Sequence, residues 1–350
     1  MKREYGIDLM RVFAMVLVIL GHIVGAGGVV EASEIGTSQH YMAVFLQVFS
    51  MCSINVFGLI SGYVGYGKKL RFRALIKIWL RVLFWTMTIT LLFFILGWIE
   101  MDDNLVRKTM LPVISKTYWY ITAYFIVIIL SPLLNIILKK MNIWLIYISV
   151  ICGAALLSIV ITTSGNNAIW LMLLYIIGAT IRKSNVLQYK KYWIGIAGFG
   201  ISVIITYAAI IAQENGAIIW NKTLWAIWGG RSDGLWPSSI TMLIAAIFVL
   251  EIGINIRTSQ KMNDLLKKTT PLILSVYLIH VHPLIFNSFN GKFIFLTRNS
   301  FALEGILIIL ITLIVFLTCM ILDLGQEKLF YYIECNIDKM YSKRKKEEDL

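Results

Sequence analysis

Windows of about 20 apolar residues recur ten times along this 350-residue chain, at approximately 7–29, 41–64, 75–98, 117–138, 143–161, 166–181, 192–212, 235–256, 271–289 and 302–323. A segment of that length and polarity suffices to cross the hydrocarbon core of a bilayer as an α-helix. The composition agrees: 59% of residues are hydrophobic, only 15% are charged and the mean hydropathy is +0.78, outside the range of soluble globular domains. The chain reads as an all-α, polytopic membrane protein of about ten transmembrane helices. With the N-terminus placed in the cytoplasm, more than two thirds of the 32 Lys and Arg fall in the inner segments, the bias expected of cytoplasmic loops. Both termini are therefore expected to be cytoplasmic. The net charge of +13 comes from these short clusters and does not point to nucleic acid as a partner.

One membrane domain is expected over 1–325, followed by a tail, 326–350. The tail begins with Leu329, Phe330, Tyr331, Tyr332 and Ile333 and ends in Lys343-Arg344-Lys345-Lys346, an interfacial helix running into a solvated charged end. Lys2 and Arg3 before an apolar run, with Ala26-Gly27-Gly28 after it, imitate a secretory signal. Cleavage would leave the charge alternation without its first span, so an uncleaved first helix is expected. The longest outer connection, 213–234, is too short for a separate extracytoplasmic domain, so the chemistry must use helices and brief loops.

Ionisable groups inside spans carry the functional signal, because hydrocarbon penalises them. The first span holds Asp8, Arg11 and His22. At 100° and 1.5 Å per residue, eleven steps bring His22 to within about 20° of Arg11 and roughly 16 Å farther along the axis. One face thus offers a guanidinium low in the membrane and an imidazole high in it. Arg11 alone is equally well a snorkelling cation, and Asp8 three residues earlier a local ion-pair partner; functionally, Asp8 would hold Arg11 toward an anionic ligand from the cytoplasm. His22 has no headgroup nearby, and an imidazole there is a natural proton acceptor.

His280 and His282 lie two apart before Pro283, about 200° on a helix, so both face one site only if Pro283 distorts the backbone. One of them is expected in the cavity of His22. With no carboxylate or cysteine close in sequence, no metal site is expected. Lys77 and Arg81, four apart in the third span, would add to an inner basic cleft. Gly58 and Gly62 suit close helix packing. Tyr118, Trp119 and Tyr120 open the fourth span, and Trp220, Trp225, Trp228 and Trp236 frame the loop 229–234; an interfacial aromatic belt is the default reading, with sugar stacking as the functional one. Cys52, Cys152, Cys319 and Cys335 are scattered and read as small core residues. Phosphate-loop, nucleophile-elbow and His-Glu-x-x-His signatures are absent from the sequence, which argues against an ATP-driven pump and a serine or zinc hydrolase.

The segment Tyr5-Gly6-Ile7-Asp8-Leu9-Met10-Arg11, the Arg-x10-His spacing, Phe57 to Tyr63, Trp119-Tyr120-Ile121 with Ser131-Pro132-Leu133-Leu134-Asn135, and Tyr277-Leu278-Ile279-His280 together resemble the acyltransferase-3 family of bacterial membrane acyltransferases, over essentially the whole chain. The resemblance implies a multi-pass protein of the bacterial plasma membrane that moves an acyl group, usually acetyl, from cytoplasmic acyl-CoA to a hydroxyl of a cell-surface or lipid-linked glycan. The family's Arg and His carry over to Arg11 and His22. Some members append a hydrolase-like outer domain; this chain ends without one, so its acceptor is expected to come to the membrane cavity. The Val281-His282 insertion before Pro283 departs from the commoner Tyr-Leu-Ile-His-Pro form and leaves open which histidine takes that role. His22 would accept the proton of the attacking hydroxyl, or else carry the acyl group itself; Arg11, Arg81 and Lys77 would hold donor phosphates; and Trp119, Tyr120, Tyr277, His280 and His282 would meet the acceptor. A glycan flippase, a polymerase or a small-molecule transporter could use the same Arg and His.

Overall fold

The computed structural model describes residues 3–70, 72–160, 167–215, 230, 231, 234, 235 and 238–348. Trp220, Trp225, Trp228 and Trp236 lie outside them. The described chain is mainly helical, with short turns between helices and a two-residue antiparallel pair, Gly230–Arg231 with Gly234–Leu235. In lipid every backbone polar group must be satisfied within the segment, which a helix does.

In chain order the helices are α1 (Tyr5–Val24), α2 (Val29–Ala32), α3 (Ser38–Ser50), α4 (Ser53–Gly65), α5 (Phe72–Ile95), α6 (Asp103–Met110), α7 (Trp119–Lys140), α8 (Ile143–Val160), α9 (Ala168–Ser184), α10 (Tyr192–Glu214), α11 (Ile240–Asn255), α12 (Gln260–Thr269), α13 (Ile273–His280), α14 (Pro283–Phe289) and α15 (Phe301–Glu348). Each of the ten apolar windows is mainly helical over its described residues. Among the described residues, length and composition qualify six stretches as membrane spans, Tyr5–Ala32, Ser38–Gly65, Phe72–Ile95, Trp119–Lys140, Tyr192–Glu214 and Phe301–Gln326, and a seventh if the bent pair Gln260–His280 with Pro283–Arg298 is one crossing. The other three windows fold as α8, described as far as Val160, and as α9 and α11, of 17 and 16 residues. At 1.5 Å per residue α9 and α11 reach only about 24–26 Å, short of a core roughly 30 Å thick.

Polar residues at the window edges set the helix starts. The side chains of Thr37, Asn167 and Ser239 accept from the backbone N–H of His40, Trp170 and Met242, capping α3, α9 and α11 and satisfying donors that the first turn leaves orphaned. Inside α7, Pro132 has no N–H for the carbonyl of Ile128; the Ser131 hydroxyl donates to that oxygen at 2.8 Å, so the helix continues.

Helix α1 is the axis of the packing. Ile7, Ala14, Ile19, Ile23 and Val24 are buried, and α1 packs against α3, α4, α11, α13 and α15. Helices α4 and α9 approach so closely that a Cβ on Gly62 would lie 1.9 Å from the carbonyl oxygen of Tyr175, and one on Gly178 would lie 2.0 Å from that of Leu59. Small residues let backbones meet where lipid offers no hydrophobic drive between helices. Large apolar side chains such as Ile95, Ile129, Leu133, Ile201 and Ile306 are exposed on α5, α7, α10 and α15, as befits faces turned to acyl chains.

Candidate active site

Arg11 and His22 both line one cavity of about 390 Å³, walled by α1, α4, α5, α7 and α13. Their shared helix face, read from spacing alone, is the face that this cavity opens on.

At the start of α1 the carboxylate of Asp8, only 3% exposed, is held between two guanidinium groups. Arg3 Nε donates to its Oδ2 at 2.6 Å and Arg11 Nη1 to its Oδ1 at 2.7 Å. One anion among two cations leaves the cluster net positive, and charge-assisted bonds of this length fix the guanidinium geometry. The Arg11 side chain keeps 29% exposure, and it lines the cavity.

At the far end, His22 Nδ1 lies 3.3 Å from His280 Nε2, and His280 Nδ1 lies 2.5 Å from the carbonyl oxygen of Val276. The order of the protons follows from chemistry. A carbonyl oxygen only accepts, so His280 carries its hydrogen on Nδ1 and presents Nε2 as an acceptor. His22 must then donate from Nδ1, and its remaining nitrogen, Nε2, holds a lone pair. The edge of Phe286 packs against the His22 ring, with centroids 5.0 Å apart.

The break before Pro283 separates the two later histidines. Helix α13 ends at His280, Val281 and His282 leave the helical path, and Pro283 starts α14; the two arms are bent by 70°. His280 reaches His22. His282 instead accepts from the N–H of Leu284 at 3.3 Å, capping α14, and packs beside Tyr118. Neither histidine is among the residues that line the cavity, which His280 meets only through His22.

Trp119, Tyr120 and Tyr277 do line it. Tyr120 stacks on Tyr124 at 12° and lies 5.8 Å from Tyr277. The buried hydroxyl of Tyr277 has no hydrogen-bond partner among the described residues; such groups are rare and costly.

Lys77 and Arg81 are not brought to this cavity. Lys77 is exposed, while Arg81 Nη1 donates to the carbonyl oxygen of Pro271 at 2.6 Å and lies 3.8 Å from Asp323 Oδ2. Asp323 and Gln326 both accept from Trp85 Nε1. This network ties α5 to α15 and to the turn that opens α13.

A second polar cluster gives no sign in the sequence. His40, 3% exposed, lies 2.9 Å from Ser33 Oγ through Nδ1 and 3.0 Å from Glu214 Oε2 through Nε2. Ser33 Oγ also donates to Val30 O at 2.8 Å. Ser33 and Glu214 are 181 positions apart in the numbering, and only tertiary packing joins them. Among the described residues no group of three His, Cys, Asp or Glu is placed to hold a metal ion.

A family model described as an acyltransferase domain matches residues 4–322, nearly the whole chain. No curated protein and no solved structure matches.

Proposed function

Because the chain belongs to the acyltransferase-3 family of membrane acyltransferases, we propose that it moves an acyl group, acetyl foremost, from cytoplasmic acyl-CoA to a hydroxyl of a cell-surface or lipid-linked glycan. In this reading it lies in a bacterial plasma membrane, crosses it ten times, with α9 and α11 as short spans about which the bilayer thins, and keeps both termini in the cytoplasm. The observation that carries the proposal is the cavity that Arg11 and His22 share, with the two residues roughly 16 Å apart along α1. That separation matches an extended pantetheine arm, whose length is that of four to five extended residues, about 15 Å.

Arg11, oriented by Asp8, holds the donor phosphate next to that arm, and the thioester carbonyl reaches His22. The acceptor enters from the other side, between Trp119, Tyr120 and Tyr277. His22 Nε2 takes the proton of the attacking sugar hydroxyl as the new C–O bond forms. The C–S bond then breaks, and the imidazolium returns its proton to the departing thiolate. His280 accepts from His22 Nδ1–H throughout, so the nitrogen that does the work stays unprotonated at the start of each cycle and the cation that forms is stabilised.

The test is reconstitution of the full chain in vesicles with acetyl-CoA inside and a glycan acceptor outside, read by mass spectrometry of the glycan and by release of free CoA. The proposal expects both products in equal amounts. Transport or polymerisation of the glycan with acetyl-CoA untouched would overturn it.

A further inference from the structure

Four residues of α1 line the cavity: Arg11, Met15, Val18 and His22. They recur every three or four positions, on one face of the helix, and His22 stands farthest from Arg11. Val18 is one turn short of His22, about 6 Å along the axis. A Cβ on Gly25 would meet the Gln47 side chain at 3.0 Å, and one on Gly21 would meet the Ser50 hydroxyl at 2.7 Å. The chain of α3 and α4 therefore runs antiparallel to α1, and Ile54, one turn beyond Ser50, falls level with Val18. Ile54 also lines the cavity. From α13 comes Val281, a third lining residue, which directly follows the His280 whose ring meets His22 at 3.3 Å.

Val18, Ile54 and Val281 thus bound the space at His22 with aliphatic side chains. All three branch at Cβ, which restricts χ1, so they do not swing aside for a bulkier ligand. Charge is restricted as well as size. Arg11 is the only Lys or Arg among the described residues that line the cavity, and it lies roughly 16 Å from His22 along α1. An anionic group at the His22 end would be buried without a cation, which is costly. If His22 itself supplied that cation, it could no longer accept a proton from the attacking hydroxyl.

We infer that Val18, Ile54 and Val281 select the acyl group, admitting a short uncharged chain such as acetyl or propionyl and refusing long-chain and carboxylate-bearing donors such as succinyl. The inference rests on the acyl-CoA reading and deepens it. That reading puts the thioester carbonyl at His22 and the arm along Met15 toward Arg11, and it gives Trp119, Tyr120 and Tyr277 to the acceptor. What remains of the donor is its acyl tail, and the aliphatic side chains at His22 are what remains of the wall. The two residues between His280 and Pro283 then divide their work: Val281 bounds the acyl site, while His282 caps α14.

The full chain in vesicles is given acetyl-, hexanoyl- and succinyl-CoA in turn, and kcat/KM is read from the release of free CoA with water as the acceptor. The wild type should use hexanoyl- and succinyl-CoA at least about tenfold less well than acetyl-CoA, since one methylene too many in an apolar pocket already costs that much. Ile54→Ala and Val281→Ala should each raise the hexanoyl-to-acetyl ratio about fivefold or more, the worth of a methylene or two of added room. Neither adds a cation, so both should still refuse succinyl-CoA. A merely structural loss lowers all donors alike and leaves the ratio where it was. Variants are read on folded monodisperse protein, and the wild-type series stands whether or not a variant folds. Hexanoyl- or succinyl-CoA used within about tenfold of acetyl-CoA by the wild type overturns the inference. So does a ratio that rises less than about fivefold in either variant, or a variant that accepts succinyl-CoA along with hexanoyl-CoA. A wild type that releases CoA from none of the donors overturns the acyl-CoA reading itself, and this assignment with it.

Discussion

Replacing His280 with alanine removes the acceptor of the His22 Nδ1–H bond and leaves that donor unpaired in a buried site. Stranding a buried polar group costs about 1–3 kcal/mol. If that cost falls on the transition state, where His22 becomes a cation and needs the acceptor most, kcat drops by roughly 5- to 150-fold at 25 °C. The donor KM should stay within a few-fold, because Arg11 and its end of the cavity are untouched. Truncating a buried ring also leaves a cavity, at a stability cost of about 2–4 kcal/mol, so rates are read on protein that still elutes as folded monodisperse material. His280→Gln, whose amide oxygen can accept from Nδ1–H, should recover part of the loss. His282→Ala supplies the contrast: it removes the cap on α14, worth about 1 kcal/mol of stability, and should leave kcat nearly unchanged. Turnover of His280→Ala within twofold of wild type would refute the tautomer argument. An equal loss from His282→Ala would show that the wrong histidine has been assigned.

Three further outcomes are expected. Asp8→Asn removes the charge shared by Arg3 and Arg11, and should lower stability by about 1–2 kcal/mol and raise the acyl-CoA KM; thermal unfolding and a donor titration check both. Gly62→Ala sets a methyl group against the Tyr175 carbonyl, an overpacking that costs about 1–3 kcal/mol or more, and the yield of folded protein should fall sharply even though Gly62 touches no ligand. His40→Ala should lower the melting temperature, because it removes the partner of Glu214 and one of the two partners of Ser33, while acyl transfer per folded molecule stays the same; loss of transfer at full stability would give that cluster a role in chemistry.

The helices were legible because lipid permits one backbone solution, and each apolar window had to take it. Their number as crossings was less so: α9 and α11 are apolar like the longer helices, and what sets them apart is their length, which depends on where Asn167 and Ser239 cap and where the chain leaves the helical path. Arg11 and His22 shared a face by periodicity alone, and the cavity lies on it. Periodicity could not choose between His280 and His282, because the answer depends on a 70° break that a two-residue spacing does not announce. Nor could it see that Arg81 would find Pro271 and Asp323, since Asp323 is 242 positions away in the numbering. The contacts of Asn135 with the carbonyl oxygens of Gly65 and Lys68, and of His40 with Glu214, are long-range in the same sense.

Acyl transfer by His22→Ala, measured against wild type in the same vesicles with insertion verified by protease protection, bears most directly on the site. General-base catalysis of this kind contributes about 10²–10⁴ in rate, so the variant should insert normally, bind acyl-CoA with near-normal affinity and transfer at least about a hundredfold more slowly. Glycan acylation at the wild-type rate by inserted His22→Ala protein would contradict the account.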